Sequence, residues 1–257
     1  MDKNYMIKHG AFNNLFVINN DVFIKYFGKN RNGQELKKFS TLVNRINTVS
    51  EKLIRDYWEL YPDDPEKPGS GLLRLKGAIF EIFIDGFFKV MGATPSIGVY
   101  NYRPESAAND YGVDGFGLGA DSKSLTVQVK FRSDATQELQ ERDIKQFPFQ
   151  SYVSYGVDMN TNTNLLLVTS CKGLHPITSS QVFCSKIRVI NSEHIKDLID
   201  DNDAFWKNFN QIIDNTIKII YGPKKAKEVR GLLSDIEDHE VEGIEAYSNE
   251  REVFEEN

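Results

Sequence analysis

Asp114, Gln128 and Lys130 are the residues of this 257-residue chain whose types and spacing could do chemistry. The segment Val113 to Leu118 reads as an outgoing strand and Leu125 to Phe131 as a returning one. Between them Gly119-Ala120-Asp121-Ser122-Lys123-Ser124 has the glycine and small polar residues of a hairpin loop. Side chains alternate along a strand, so Thr126, Gln128 and Lys130 share one face while Leu125, Val127, Val129 and Phe131 share the other. Asp114 stands close by on the partner strand. A carboxylate, an amide oxygen and an ammonium gathered there can hold a hard divalent cation and activate water beside it. Magnesium takes oxygen ligands and keeps several waters, so one or two carboxylates completed by a substrate phosphate suit it, with manganese as a substitute ion. The lysine would orient the attacking water, lower its pKa or stabilise charge growing on phosphorus. That is the chemistry of phosphodiester hydrolysis.

A helix must stand behind this hairpin. From about Gly71 to Val90, a step of 100° per residue places Arg74, Glu81, Asp85 and Lys89 in one narrow stripe, and Leu75, Phe80, Ile82, Phe83, Ile84, Phe87 and Phe88 cover most of the rest. Such a helix is buried on several sides. A carboxylate at its edge needs a partner, because an unpaired buried charge is very costly. Helical salt bridges such as Asp85 to Lys89 are one solution, and a metal beside Asp114 is the other. On the residues alone either Glu81 or Asp85 could turn to such a metal. Asp110 has two readings, metal ligand or cap of the turn at Gly112, of which capping is favoured.

Asp110-Tyr111-Gly112-Val113-Asp114 followed by Gln128-Val129-Lys130 resembles the D-x-G-x-D and Q-x-K pattern of the PD-(D/E)XK nuclease superfamily in its Mrr-like branch of restriction endonucleases. The resemblance covers about Leu72 to Leu198. Val113 stands where the superfamily has proline, and Gln128 stands where it has an acid, a replacement typical of this branch. Gly77-Ala78-Ile79-Phe80-Glu81 is similar to the helix that supplies a glutamate in these enzymes. The resemblance implies a restriction-endonuclease-like α/β core, with Glu81, Asp114 and Gln128 holding Mg2+ and Lys130 assisting the attacking water on double-stranded DNA. The reading requires an acid from the helix and an acid and a base from the strands to surround a single cation. A two-strand cut needs two such sites, so a homodimer is expected.

Composition narrows the remaining classes. Hydrophobic residues make up 40% and charged residues 26%, as in ordinary globular proteins. No apolar run approaches the roughly 18 residues of a membrane span, and the N-terminus lacks a charged-then-apolar leader, so a cytoplasmic protein without a membrane partner is expected. Cys171 and Cys184 are too few for a disulfide framework and read as reduced thiols. The net charge of −6 hides an asymmetry: Asp235 to Asn257 carries −9 and the other 234 residues +3. A mildly basic body is compatible with phosphate contacts.

Three regions follow. Residues 1–68 form an accessory region, with a hairpin around Asn19-Asn20-Asp21 and a helix from Gln34 to Tyr61 whose Lys37, Lys38, Arg45, Lys52 and Arg55 make a solvated face or a DNA-facing arm. Residues 69–222 form the nuclease-like core, a mixed sheet flanked by helices, with a helix through Ile144 and Phe147 ending near Pro148 and a last helix from Phe205 to Tyr221. Arg132, Ser133, Gln137 and Lys145 are candidate phosphate contacts. Residues 223–257 hold a basic cluster (Lys224, Lys225, Lys227, Arg230) and an acidic tail that is expected to be disordered or to bind a protein partner. His9, His175 and His194 stand alone and are assigned no ligand role. Alternatives to the endonuclease are a DNA-binding or assembly protein that keeps the fold without cutting, and a Holliday junction resolvase.

Overall fold

The computed structural model describes residues 25–29, 33–60, 68–105, 112–158, 164–181 and 184–221. Within them the chain is mixed α/β. Helices α1 (Phe39–Leu60) and α2 (Pro68–Met91) precede strands β1 (Tyr100–Pro104), β2 (Gly115–Leu118) and β3 (Ser124–Lys130). Next come β4 (Glu138–Leu139), α3 (Glu141–Ile144), α4 (Phe147–Tyr155), β5 (Leu165–Thr169), β6 (Gly173–Leu174) and α5 (Pro176–Ser180). β7 (Ile187–Ile190), α6 (Ser192–Ile199) and α7 (Asp203–Tyr221) complete the order.

Five strands form one sheet in the order β1-β2-β3-β5-β7, and β4 pairs with β6 apart from it. The first three strands are antiparallel neighbours, while β5 runs parallel to β3 and to β7. A parallel neighbour needs a crossover, and α3 and α4 provide it between β3 and β5. The Leu165–Thr169 run is buried at every position, as expected of a strand covered on both faces.

The register sorts the two faces. Val127 and Val129 pair with Leu166 and Val168, and all four enter the larger core with α1, α2 and α7. Gln128 and Lys130 pair with Leu167 and Thr169 on the opposite face, where Leu165, Leu167, Ile144 and Phe147 form a second core. α4 is tied to that second face by Thr126, whose hydroxyl donates to Ser151 Oγ at 2.7 Å, and Ser151 donates to the Phe147 carbonyl at 2.7 Å.

α2 is the central element of the larger core. Its phenylalanines interlock with neighbours from three directions: Phe80 with Phe131 at 5.5 Å, Phe83 with Phe209 at 5.5 Å, and Phe83 with Phe39 at 5.8 Å between ring centroids. Gly86 lets α7 approach, since a Cβ there would lie 2.6 Å from the Phe209 ring. α2 stops at Met91, and Gly92 follows at a point where a Cβ would press on the Phe88 and Val99 carbonyls.

Several expectations change. The hairpin expected in residues 1–28 lies largely outside the described residues, and residues 25–27 are helical, with Tyr26 and Phe27 buried in the larger core. Arg45 belongs to no DNA-facing surface: it is buried and donates to the carbonyls of Tyr26 (3.3 Å) and Gly28 (2.8 Å). Pro148 opens α4 instead of ending a helix, because a proline in the first helical turn sacrifices no internal hydrogen bond. The boundary expected at residue 68 falls between two helices that share one core. The basic cluster and the acidic tail lie outside the described residues. Among the described residues no helix is long and apolar enough to cross a membrane.

Candidate functional site

Asp114 precedes β2 and Lys130 ends β3, so the hairpin register brings both to one end of the sheet. The expected outgoing strand begins two residues later than Val113, and this leaves Asp114 at the strand entrance. Its backbone N–H donates to the Val127 carbonyl at 2.9 Å and its own carbonyl accepts from Glu105 N–H at 2.9 Å. The carboxylate reaches across the hairpin, where Oδ2 accepts from Val129 N–H at 2.6 Å. A charge-assisted bond of that length orients the group. Asp114 is 9% exposed.

Gln128 sits one residue before that donor and is 2% exposed. Its amide lies against Gly112: a Cβ there would come 2.7 Å from Nε2, and φ of +90° is a second reason why glycine stands at this position. Oε1 of Gln128 is buried with no hydrogen-bond partner among the described residues. A buried acceptor left so costs about 1–3 kcal/mol. The Lys130 side chain, partly exposed, has no ion pair or hydrogen bond among the described residues; its carbonyl accepts from the Thr169 hydroxyl at 2.8 Å. Asp110 lies outside the described residues.

Glu81 comes from the other face. It follows Phe80, whose ring packs on Phe131 just past Lys130, so it lies near the same end of the sheet. Asp85, one turn on, is 1% exposed and accepts from Lys89 Nζ at 2.7 Å through Oδ2, while Oδ1 is buried without a hydrogen-bond partner among the described residues. Glu81, Asp85 and Asp114 all act on one group, the hydroxyl of Tyr102 on β1. Its enclosure, and after it the charges of Asp85, Asp114 and Glu81, hold the phenol well above its ordinary pKa.

Asp114 stands across the hairpin from β3, bonded to Val127 and Val129 on either side of Gln128. Gln128 and Lys130 leave β3 on the face turned from α2. Arg132 and Ser133, expected near phosphates, have internal partners. Arg132 pairs with Asp143 at 2.8 Å. Ser133 Oγ donates to Asn47 at 2.9 Å and accepts from the buried Lys76, itself paired with Glu51 at 2.9 Å. Lys145 is exposed and Gln137 partly so.

Among the described residues no cluster of three or more His, Cys, Asp or Glu is arranged for a metal ion. The fit of a hard cation therefore rests on the Asp114 carboxylate and the orphaned Gln128 oxygen; Glu81, expected as a third ligand, belongs to α2, which packs on the opposite face of the sheet. Both are oxygen donors of the kind magnesium accepts, and a substrate phosphate would complete them. Cys171 and Cys184 are free, buried thiols, and the His175 imidazole caps α5 by accepting from Ile177 N–H at 3.3 Å. In comparisons with protein families, curated proteins and solved structures, nothing matches the chain.

Proposed function

We propose that the protein is a metal-dependent DNA endonuclease with the core of the PD-(D/E)XK enzymes, in which Asp114 and Gln128 hold Mg2+ and Lys130 works on the attacking water, while Glu81 stands across the sheet from them. The observation that carries the reading is that Gln128 Oε1 is buried with no hydrogen-bond partner among the described residues, on the strand whose Val127 and Val129 bond Asp114. The order of upstream helix, hairpin and crossover before a parallel strand is consistent with the resemblance in the D-x-G-x-D and Q-x-K residues.

The roles follow from the geometry. When bound, Mg2+ supplies positive charge at the scissile phosphate and lowers the pKa of a coordinated water. Val129 N–H fixes one oxygen of Asp114 and so sets the direction of the other. Gln128 adds a neutral oxygen, which leaves the site less negative than a second strand acid would and makes it lean on the substrate phosphate. The Lys130 ammonium, on a long stem at the strand end, orients the water and balances negative charge that grows on the phosphoryl oxygens. A homodimer places two such sites on opposite strands of a duplex.

Cleavage of supercoiled plasmid with Mg2+, against an EDTA control, tests the proposal. The wild type nicks and linearises DNA, and Asp114→Ala and Lys130→Ala each lose at least about 100-fold in rate, the scale of removing one group that stabilises transition-state charge. Undiminished cleavage by both variants removes these residues from the mechanism. A second reading, a DNA-binding protein that keeps the fold without cutting, is favoured by the absence of a three-acid cluster among the described residues. It predicts retention on DNA that weakens steeply with salt and no metal-stimulated cutting.

A further inference from the structure

β3 and β5 end side by side, and the chain just beyond β3 is held by two side-chain hydroxyls. Lys130 is the register partner of Thr169, the last residue of β5. Thr169 and the Ser170 after it close an apolar run, yet they are 0% and 1% exposed. A hydroxyl taken out of water is costly unless it is bonded, and both are bonded to the segment that follows the Gln128–Lys130 motif. The Thr169 hydroxyl donates to the Lys130 carbonyl at 2.8 Å, and Ser170 N–H donates to the same carbonyl at 3.3 Å.

A parallel ladder would next take Arg132 N–H to the Ser170 carbonyl. It goes instead to the Ser170 hydroxyl at 2.7 Å, and that hydroxyl donates its own proton to the Arg132 carbonyl, also at 2.7 Å. One serine thus holds both backbone groups of Arg132, as a group that donates and accepts at once can do. The Arg132 guanidinium is tied in turn to the Phe131 carbonyl at 3.1 Å and to Asp143 on α3 at 2.8 Å, and the Phe131 ring packs on Phe80. From Lys130 to Arg132 the backbone is therefore fixed by β5, α3 and α2, whereas the Lys130 side chain has no ion pair or hydrogen bond among the described residues.

We infer that Thr169 and Ser170 are positioning residues for Lys130: their hydroxyls lock the backbone at the end of β3 and so fix the point from which the lysine reaches the attacking water. A lysine is a point charge on a flexible stem, so the place its ammonium can occupy is decided by where its own backbone is held. The inference rests on the nuclease reading and adds to it two buried residues that act through the main chain. Misplacing a reacting group by about 1 Å costs on the order of 100-fold in rate. Ser170→Ala releases both backbone groups of Arg132 and is the stronger perturbation. Thr169→Val is milder, because Ser170 N–H still holds the Lys130 carbonyl.

The full-length chain is compared as wild type, Ser170→Ala, Lys130→Ala and the double variant, by amide hydrogen exchange without metal and by single-turnover plasmid cleavage with Mg2+. In Ser170→Ala the Arg132 amide exchanges about tenfold faster. Its cleavage rate at saturating DNA falls about 10- to 100-fold, while the DNA concentration for half-maximal rate stays within about twofold of wild type. On the Lys130→Ala background the same change adds less than about twofold, since a residue that acts through Lys130 has nothing left to position. A Ser170→Ala protein that cuts like wild type overturns the inference, as does one whose loss is equally large without Lys130. If Ser170→Ala does not fold, Thr169→Val against Thr169→Ser decides: the valine variant cuts about threefold more slowly than the serine variant, and equal rates overturn the inference. A wild type that does not cut DNA with Mg2+ is a different result: it withdraws the nuclease reading, and the inference with it.

Discussion

Replacing Gln128 with leucine separates the cost of its orphaned oxygen from its use. The side chain is 2% exposed and faces the second core beside its register partner Leu167. An unpaired buried oxygen costs about 1–3 kcal/mol, a penalty that leucine does not carry. Against this stand the interactions of the amide nitrogen and the imperfect fit of a branched side chain, together about 1–1.5 kcal/mol. The metal-free variant is therefore as stable as wild type or more so, by about 1 kcal/mol, which for about 200 folded residues is a rise of roughly 2–4 °C in Tm. Melting in EDTA measures it. Millimolar Mg2+ then raises the Tm of wild type, since a ligand that binds the folded state stabilises it, and leaves the variant unmoved. Plasmid cleavage by the variant falls at least about 100-fold. A variant that melts well below wild type in EDTA shows that Oε1 is paired in the folded protein, and one that cuts DNA at the wild-type rate shows that it holds no metal.

Gly112→Ala tests the same corner through the backbone. With φ at +90° and a Cβ 2.7 Å from Gln128 Nε2, it loses at least about 1 kcal/mol in denaturant melts and weakens Mn2+ binding as the amide is displaced. Gly86→Ala gains up to about 1 kcal/mol of helix propensity but drives a methyl to 2.6 Å from a Phe209 ring packed among Phe83, Phe205 and Trp206, so it loses about 1–2 kcal/mol net. A gain in Tm would mean that α7 can retreat. Asn191→Ala removes the side chain that caps α6 by accepting from His194 N–H at 3.0 Å, with an expected loss of about 1 kcal/mol and no change in metal binding.

The hairpin was legible because three signals agree over Asp114 to Lys130: a small polar turn, a period-two alternation and flanking β-branched residues. Leu165 to Thr169 was legible as an interior strand for a similar reason, an unbroken apolar run of strand length. α2 was legible from its phenylalanines, though it begins at Pro68, three residues ahead of the Gly71 from which it was read, because a proline followed by Gly-Ser looks like a loop until the helix beyond it is known. Arg45 was misread since a basic residue on an amphipathic helix has no local mark of burial; the carbonyls of Tyr26 and Gly28 that hold it come from a separate segment. The opposition of Glu81 and Gln128 across the sheet depends on which face α2 covers, a tertiary fact outside any spacing rule.

Anomalous diffraction from crystals grown with Mn2+ tests the central claim most directly. The account predicts one strong peak per chain at the end of the β2–β3 hairpin, about 2.1 Å from an Asp114 carboxylate oxygen and from Gln128 Oε1. Crystals in which Mn2+ lies elsewhere, or in which Gln128 Oε1 accepts a hydrogen bond from the protein and no metal stands beside Asp114, contradict it.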